Sequence, residues 1–337
     1  SHELRADEDG AFRLSLDRLG LPAWSDLDPR LTTLHVASDG QAVDLTIGYR
    51  TFAAHGRQFL LNNQPIFLRG TLECCVFPLT GFPPMEPGPW KKIMAKAKEY
   101  GLNHIRFHSW CPPEAAFVAA DQEGVVLQVE LPLWTGKWPL SSDPKLLDFC
   151  RREALRILEA YSHHPSFCLF ALGNEMAFYG EEPEVDQLLR DLKAAFPGIL
   201  FTFSSHGTHL SQECGFFVQA DNGRPGSENL PLRGSTWFGV GSRFDRESPT
   251  TTTVCDAAAA QFDRPVISHE VGEWAVFPRL SESDKYLGVL EARNFGAIKA
   301  MLSERGMLDQ AEAFTQASGQ LSAQLYKEEI ETLLRTK

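Results

Sequence analysis

Apolar and polar positions along the chain follow two rhythms. Ala11–Asp17 (AFRLSLD) and Leu31–Ser38 (LTTLHVAS) are short, partly alternating runs, and Ala42–Phe52 (AVDLTIGYRTF) alternates over a longer stretch. A period of two predicts strands with one face turned inward. Turn residues separate them: Gly20 and Pro22, Asp26 to Pro29, and Asp39-Gly40. About three strands fall short of the roughly seven of an independent sandwich, so this segment reads as the last part of a β-sandwich.

After Asn62-Asn63-Gln64-Pro65 short apolar runs alternate with helical stretches. Strands are predicted at Ile66–Leu72, His104–His108, Val125–Glu130, Phe167–Leu172, Ile199–Phe203, Phe216–Ala220 and Pro265–His269. Helices are predicted at Pro89–Tyr100, Pro113–Glu123, Pro144–Ser162 and Pro183–Phe196. Repeated strand–helix alternation predicts parallel strands with helices outside. Seven strands, each with polar residues just past its end, point to a TIM (β/α)₈ barrel with its chemistry at the strand C-termini. From Ser283 onward the pattern is helical, Ser283–Leu302 and then Leu308–Arg335 with a break near Gly319, and no eighth strand is legible. The expected division is 1–57 for the sandwich portion and 58–337 for the barrel. An open gap would leave unpaired edges, so the chain is expected to be an excerpt of a longer protein.

Composition narrows the function classes. Across 337 residues, 43% are hydrophobic and 23% charged, an ordinary globular balance. No apolar run approaches the roughly 20 residues of a membrane span. Lys plus Arg number 32 against 44 Asp plus Glu, a formal charge of −12, which disfavours nucleic acid or an anionic membrane surface as the main partner. The seven cysteines have no zinc-site or disulfide-scaffold spacing and read as mostly free, buried thiols. No signal-peptide pattern follows Ser1, and the compartment, periplasmic, secreted or cytoplasmic, is not legible.

The sharpest chemical signal is Gly173-Asn174-Glu175, directly after an apolar strand. A second strand run ends in His269-Glu270. Two carboxylates at the same end of two barrel strands can converge across the mouth, the layout glycoside hydrolysis needs. One acid protonates the leaving oxygen, and the other attacks the anomeric carbon or activates water. Glu175 has a structural alternative as a loop carboxylate paired with a nearby arginine or a helix N-terminus. Arg106 and His108 lie two apart on one strand and share a face. Arg106 is placed to keep a carboxylate ionised or to serve as an ion pair in the barrel mouth. His108 reads equally as a sugar-hydroxyl ligand or a structural histidine. Glu130 and Glu73 end strands and suit sugar hydroxyls or an ion network. Trp110, Trp134, Trp138, Trp237 and Trp274 lie beyond strands or in loops, as stacking surfaces for sugar rings or as local packing. No metal-ligand spacing, Walker loop, dinucleotide fingerprint or nucleophile elbow is present.

These residues resemble glycoside hydrolase family 2, within the clan of retaining (β/α)₈ glycosidases. Trp24-Ser25-Asp26-Leu27-Asp28-Pro29 and Ile47-Gly48-Tyr49-Arg50 are similar to the last strands of that family's immunoglobulin-like domain. Leu61 to Gly70 resembles the entry into the barrel, Gly101 to Arg106 its second strand, and His164 to Glu175 its acid/base strand. The stretch Arg69 to Gly81 is similar to a less characterised branch. The resemblance implies a retaining double displacement, with Glu175 as acid/base, Glu270 as nucleophile, Asn174 on the sugar 2-hydroxyl and Arg106 near the nucleophile. A tyrosine usual on the sixth strand has no counterpart in Phe216–Asn222.

The expected activity is therefore exo-acting hydrolysis of β-linked sugars, of β-galactosidase, β-glucuronidase or β-mannosidase type. The substrate-binding set is Asn174, Arg106, His108, Glu130, Trp110, Trp134 and Trp274. No cofactor and no metal are expected. The partner is a carbohydrate, with no nucleic acid and no membrane, and homo-oligomerisation is left open. Alternatives are a non-catalytic carbohydrate-binding protein on a decayed barrel, or an endo-acting glycanase of the same clan.

Overall fold

The computed structural model describes residues 20–38, 40–134, 139–176, 182–207, 210–221, 232, 248 and 250–337. The strand expected at Ala11–Asp17 lies outside the described residues, as do Trp138 and Trp237.

β1 (Thr32–Ser38) and β2 (Gln41–Ile47) form an antiparallel hairpin that is largely exposed. Leu34 faces Leu45 and Val36 faces Val43 across it, so the alternation read from sequence produces one apolar face. Next comes an antiparallel meander of β3 (Phe52–His55), β4 (Gln58–Leu61) and β5 (Gln64–Ile66). Asn62 and Asn63 both adopt positive φ, 53° and 63°, as a two-residue hairpin turn requires. The same Asn-Asn pair that marks a change of rhythm in the sequence is thus a hairpin tip. The strand expected over Ile66–Leu72 is divided: Ile66 pairs back with Phe59, and β6 (Gly70–Glu73) starts four residues later.

The parallel sheet follows chain order: β6, β7 (His104–Phe107), β8 (Val126–Glu130), β9 (Phe167–Ala171) and β10 (Leu200–Thr202). β11 (Phe217–Gln219) and β12 (Val266–Ser268) pair in parallel with each other. Single bridges from Ser205 to Asn174 and to Val218 carry the pairing from β9 and β10 onward to β11. Among the described residues β12 is the last strand.

The helices α1 (Pro87–Glu99), α2 (Glu114–Glu123), α3 (Pro144–Tyr161) and α4 (Pro183–Ala195) alternate with these strands. α3 begins where Asp143 accepts the backbone N–H groups of Lys145 and Leu146, with Pro144 in the first turn. α2 ends on Gly124 at φ 72°, where a side chain would meet the Asp26 carbonyl. Strand side chains alternate as the pleat demands. Ile105, Phe107, Leu127 and Val129 join the helices in one apolar core, while Arg106, Gln128 and Glu130 turn to the other face and meet one another.

The meander packs against the opposite ends of the same strands. Phe52, Phe59 and Leu61 share a second apolar cluster with Trp24, Leu169, Phe216 and Val218. Arg50 donates to the carbonyls of Pro165 and Phe167, at 3.0 and 2.7 Å, and to that of Gly198, tying the meander to the starts of β9 and β10. Trp24, fully buried, donates its indole N–H to the Asp121 carbonyl at 2.7 Å.

Beyond β12 the chain differs from the sequence reading. Ser283–Leu302 is not one helix but a short 3₁₀ turn, Leu280–Lys285, and α6 (Arg293–Glu304) after the short helix α5 (Asp256–Ala259). Gly288 lies against the Leu79 backbone so closely that no side chain fits. α7 (Ala311–Arg335) runs through Gly319 without the expected break. A helical glycine costs about 1 kcal/mol. Contacts on either side of it offset that cost, since Ser318 Oγ accepts the Phe277 N–H and Ser322 Oγ donates to the Trp274 carbonyl.

All seven cysteines are free. Only Cys150, Cys168 and Cys214 are buried, and Cys74 and Cys75 are exposed, so the expected burial holds for part of the set. No helix among the described residues is long and apolar enough to cross a membrane.

Candidate active site

Residues just past the strand C-termini take a backbone conformation that side chains disfavour. Cys75, Ser109, Glu175, His206 and Glu270 follow β6, β7, β9, β10 and β12, all with φ between 46° and 58°. Left-handed geometry at non-glycine residues costs of order 1–3 kcal/mol each and concentrates where side chains must be aimed.

Arg106, nine-tenths buried or more, is the hub. Its Nε lies 2.6 Å from Glu130 Oε1, its Nη1 3.2 Å from Glu270 Oε1, and its Nη2 2.5 Å from Asn174 Oδ1. Glu130 is fully buried and also accepts the Ser109 N–H at 2.8 Å, the Gln128 amide at 3.2 Å and the Ser205 hydroxyl. These partners are those of an ion network, one of the two readings open from sequence. Burial opposes the charge on Arg106, but Glu130 and Glu270 outweigh it and raise the guanidinium pKa. His104, two residues before Arg106, is pushed down to about 3 by burial and by the Arg106 charge, so it stays neutral.

Glu175 and Glu270 come together. One carboxylate oxygen of each and a ring nitrogen of His269 all lie within 4.8 Å of one another. His269 Nε2 is 3.3 Å from Glu175 Oε1 and 3.5 Å from Glu270 Oε1, and His108 Nε2 is 3.7 Å from the same Glu270 oxygen. Burial pushes the Glu270 carboxyl up, but the charges of His269 and Arg106 and the Arg106 hydrogen bond outweigh it, against repulsion from Glu175. The group is held below the usual 4.5 and stays ionised at neutral pH. Glu175, His269 and Glu270 are also the group among the described residues whose ligand atoms lie close enough to hold a metal ion.

Asn174 has its side chain fully buried, with Oδ1 on Arg106 and Nδ2 without a partner among the described residues. Trp134 is 61% exposed and meets the His108 ring edge-on at 5.3 Å, so an open aromatic surface stands beside the carboxylates. Trp110 takes the packing role instead. Its ring sits against Phe107 and Trp90, and its indole donates to the Glu73 carbonyl at 3.3 Å. Trp274, half-buried, donates to Glu329 of α7 at 3.2 Å. The Glu73 carboxyl is raised by burial, against hydrogen bonds from the Cys75 and Val76 backbone and Trp110.

Sequence reasoning gave no role to His269, Gln128 or Ser205. Parity was an available signal for Gln128, two before Glu130 on one strand face. Nothing in the sequence brings Ser205 to Glu130, because 75 residues separate them.

The chain is similar in sequence and in fold to known proteins. No family model matches the chain. A β-galactosidase of Leuconostoc mesenteroides is 26% identical over 202 residues, which is 57% of this chain and 19% of that protein. "Beta-galactosidase 2" of Enterobacter cloacae is 23% identical over 65% of this chain and 22% of that protein. The chain resembles the family 2 glycoside hydrolases. It spans about a fifth of the length of the β-galactosidases it matches. Its fold is that of solved β-glucuronidases. One from Ruminococcus gnavus, in complex with D-glucuronic acid, superposes with a TM-score of 0.51 at 20% identity, over 58% of this chain and 36% of that one. One from Dictyoglomus thermophilum gives 0.50 at 19% identity, over 58% and 37%.

Proposed function

We propose that this chain carries the catalytic barrel of a retaining β-glycosidase. Glu175 is the general acid/base and Glu270 the nucleophile. The observation that carries this reading is that Glu175 and Glu270 each bring one carboxylate oxygen to within 4.8 Å of the other's. Retaining glycosidases hold theirs about 5–5.5 Å apart, whereas inverting ones leave roughly 6.5–9.5 Å for a water molecule.

The roles divide by environment. Glu270 is the ionised partner, with Arg106 at 3.2 Å and His108 at 3.7 Å on one oxygen. In the first step a Glu270 oxygen bonds to the anomeric carbon as the bond to the leaving oxygen breaks, and Glu175 gives that oxygen its proton. In the second step water attacks the same carbon, Glu175 takes the proton, and Glu270 departs as carboxylate. Asn174, oriented by Arg106, offers its Nδ2 donors to a sugar hydroxyl. Trp134 offers a stacking face beside His108. On this reading the β1–β2 hairpin belongs to the last strands of an immunoglobulin-like β-sandwich that precedes the barrel.

The test uses the full-length protein and a panel of aryl β-glycosides, with galactoside, glucuronide and mannoside arms. Proton NMR of the product first released is expected to show the β-anomer. An α-anomer as first product, or no turnover of any β-glycoside, overturns the reading.

A further inference from the structure

Ser204 and Ser205 lie just past the end of β10, and both are buried. Their backbone and one hydroxyl hold the turn that carries Glu175. The Ser205 N–H donates to the Gly173 carbonyl at 2.9 Å, and the Ser205 carbonyl accepts the Glu175 N–H at 2.7 Å. The Ser204 hydroxyl accepts the Met176 N–H at 2.9 Å and donates to that same Ser205 carbonyl at 3.4 Å. Glu175 stands at φ 46°, a backbone conformation that a side chain disfavours and that persists only where its surroundings impose it. Here two consecutive N–H groups, those of Glu175 and Met176, are fixed on the two serines.

The Ser205 hydroxyl serves the other glutamate. It donates to Glu130 Oε1 and accepts the Gln128 amide at 2.8 Å. Glu130 holds Arg106 Nε at 2.6 Å, and Arg106 Nη1 reaches Glu270 at 3.2 Å. One dipeptide therefore supports both members of the carboxylate pair, by separate routes.

We propose that Ser204 and Ser205 are positioning residues with divided tasks. The Ser204 hydroxyl sets Glu175 through the Met176 N–H, and the Ser205 hydroxyl sets Glu270 through Glu130 and Arg106. The proposal rests on the roles given above to the two glutamates. Removing the Ser204 hydroxyl leaves a buried N–H without its acceptor, and the disfavoured turn at Glu175 relaxes to recover one. Removing the Ser205 hydroxyl takes one donor from Glu130 Oε1, leaving Arg106 Nε and the Gln128 amide on that oxygen. A fully buried carboxylate short of a donor draws the remaining ones closer, and Arg106 is the one it shares with Glu270.

The test uses the full-length protein with Ser204→Ala and Ser205→Ala, both of which keep the backbone carbonyls. The reading is kcat/KM, which reports the first step, for two aryl β-glycosides of one sugar: a dinitrophenyl glycoside and a phenyl glycoside. Ser204→Ala is expected to lower the phenyl value about tenfold more than the dinitrophenyl value, because only phenol needs the Glu175 proton to leave. Ser205→Ala is expected to lower both values alike, by about tenfold, because attack by Glu270 is common to both. A general loosening of the fold would give the two variants the same pattern. Equal losses on the two substrates from Ser204→Ala, unequal losses from Ser205→Ala, or unchanged values in either variant overturn the proposal.

Two measurements need no turnover. In the unaltered protein the Glu175 and Met176 amides and the Arg106 Nε–H are expected to exchange with solvent at least about a hundredfold more slowly than in an unfolded peptide. Fast exchange at any of them overturns the proposal even where a variant does not fold. In Ser205→Ala the Arg106 Nε–H resonance is expected to shift, and in Ser204→Ala to stay; the reverse overturns it. A protein inactive on every β-glycoside defeats the function proposed above, and the exchange and resonance measurements still decide which group each serine holds.

Discussion

Arg106 Nη1 lies 3.2 Å from Glu270 Oε1, and the same guanidinium holds Glu130 and Asn174. One cation therefore orients three of the site's polar groups at once, two of them fully buried. Removing it leaves Glu130 as a buried charge without its main partner. Breaking a buried pair from one side costs about 3–5 kcal/mol. Arg106→Ala is expected to lose that much in denaturant unfolding and to abolish activity. Arg106→Lys, which cannot span three acceptors with a fork, is expected to recover part of the stability and little of the turnover. A loss below about 1 kcal/mol for the alanine variant would remove Arg106 from the centre of the network.

The two glutamates should separate under substitution. Glu175→Gln is expected to abolish turnover of substrates with poor leaving groups and to spare the first step with activated aryl glycosides, which need no proton. Equal loss on both substrate types would count against the acid role. Glu270→Gly is expected to lose hydrolysis and regain turnover with azide, giving a glycosyl azide of inverted configuration. Retained hydrolysis in that variant would take Glu270 out of the mechanism.

The depressed pKa of Glu270 makes a prediction about acid stability. A group whose folded pKa lies below its unfolded value stabilises the fold above the unfolded value, and that contribution is lost as pH falls through the folded one. Glu270 is held below 4.5, so its contribution is complete above that pH and declines beneath it. Glu270→Gln is expected to flatten the fall of unfolding free energy below pH 4.5, measured by denaturant titration at successive pH values. Parallel curves for the two proteins would contradict the assignment of charge to this residue.

Trp134 should bind without supporting the fold. It is 61% exposed and touches the His108 ring rather than the apolar core. Trp134→Ala is expected to raise KM about tenfold, corresponding to roughly 1.4 kcal/mol of stacking, with kcat and melting temperature little changed. A lowered melting temperature with unaltered KM would make it a packing residue.

Trp110 shows why the aromatic residues could not be sorted from sequence. Like Trp134 it follows a strand, yet it packs on Trp90 and Phe107. Exposure depends on what the next loop and helix cover, which no local pattern contains. Glu130 behaves similarly. Its place at a strand end was legible, but its burial among Arg106, Ser109, Gln128 and Ser205 follows from three strands meeting.

Local rules reach as far as the period of the chain. The alternation of apolar runs and helical stretches located the parallel strands, the first of them only in part, and four helices, because pleat parity and helical period are set by neighbours in sequence. Strand parity also put Arg106 and His108 on one face. Distances between strands belong to the closed set of pairings alone. The meeting of Glu175 and Glu270, and the place of His269 beside them, join residues almost a hundred positions apart. The unbroken course of α7 through Gly319 has the same origin, since the contacts that offset the glycine come from the loop after β12.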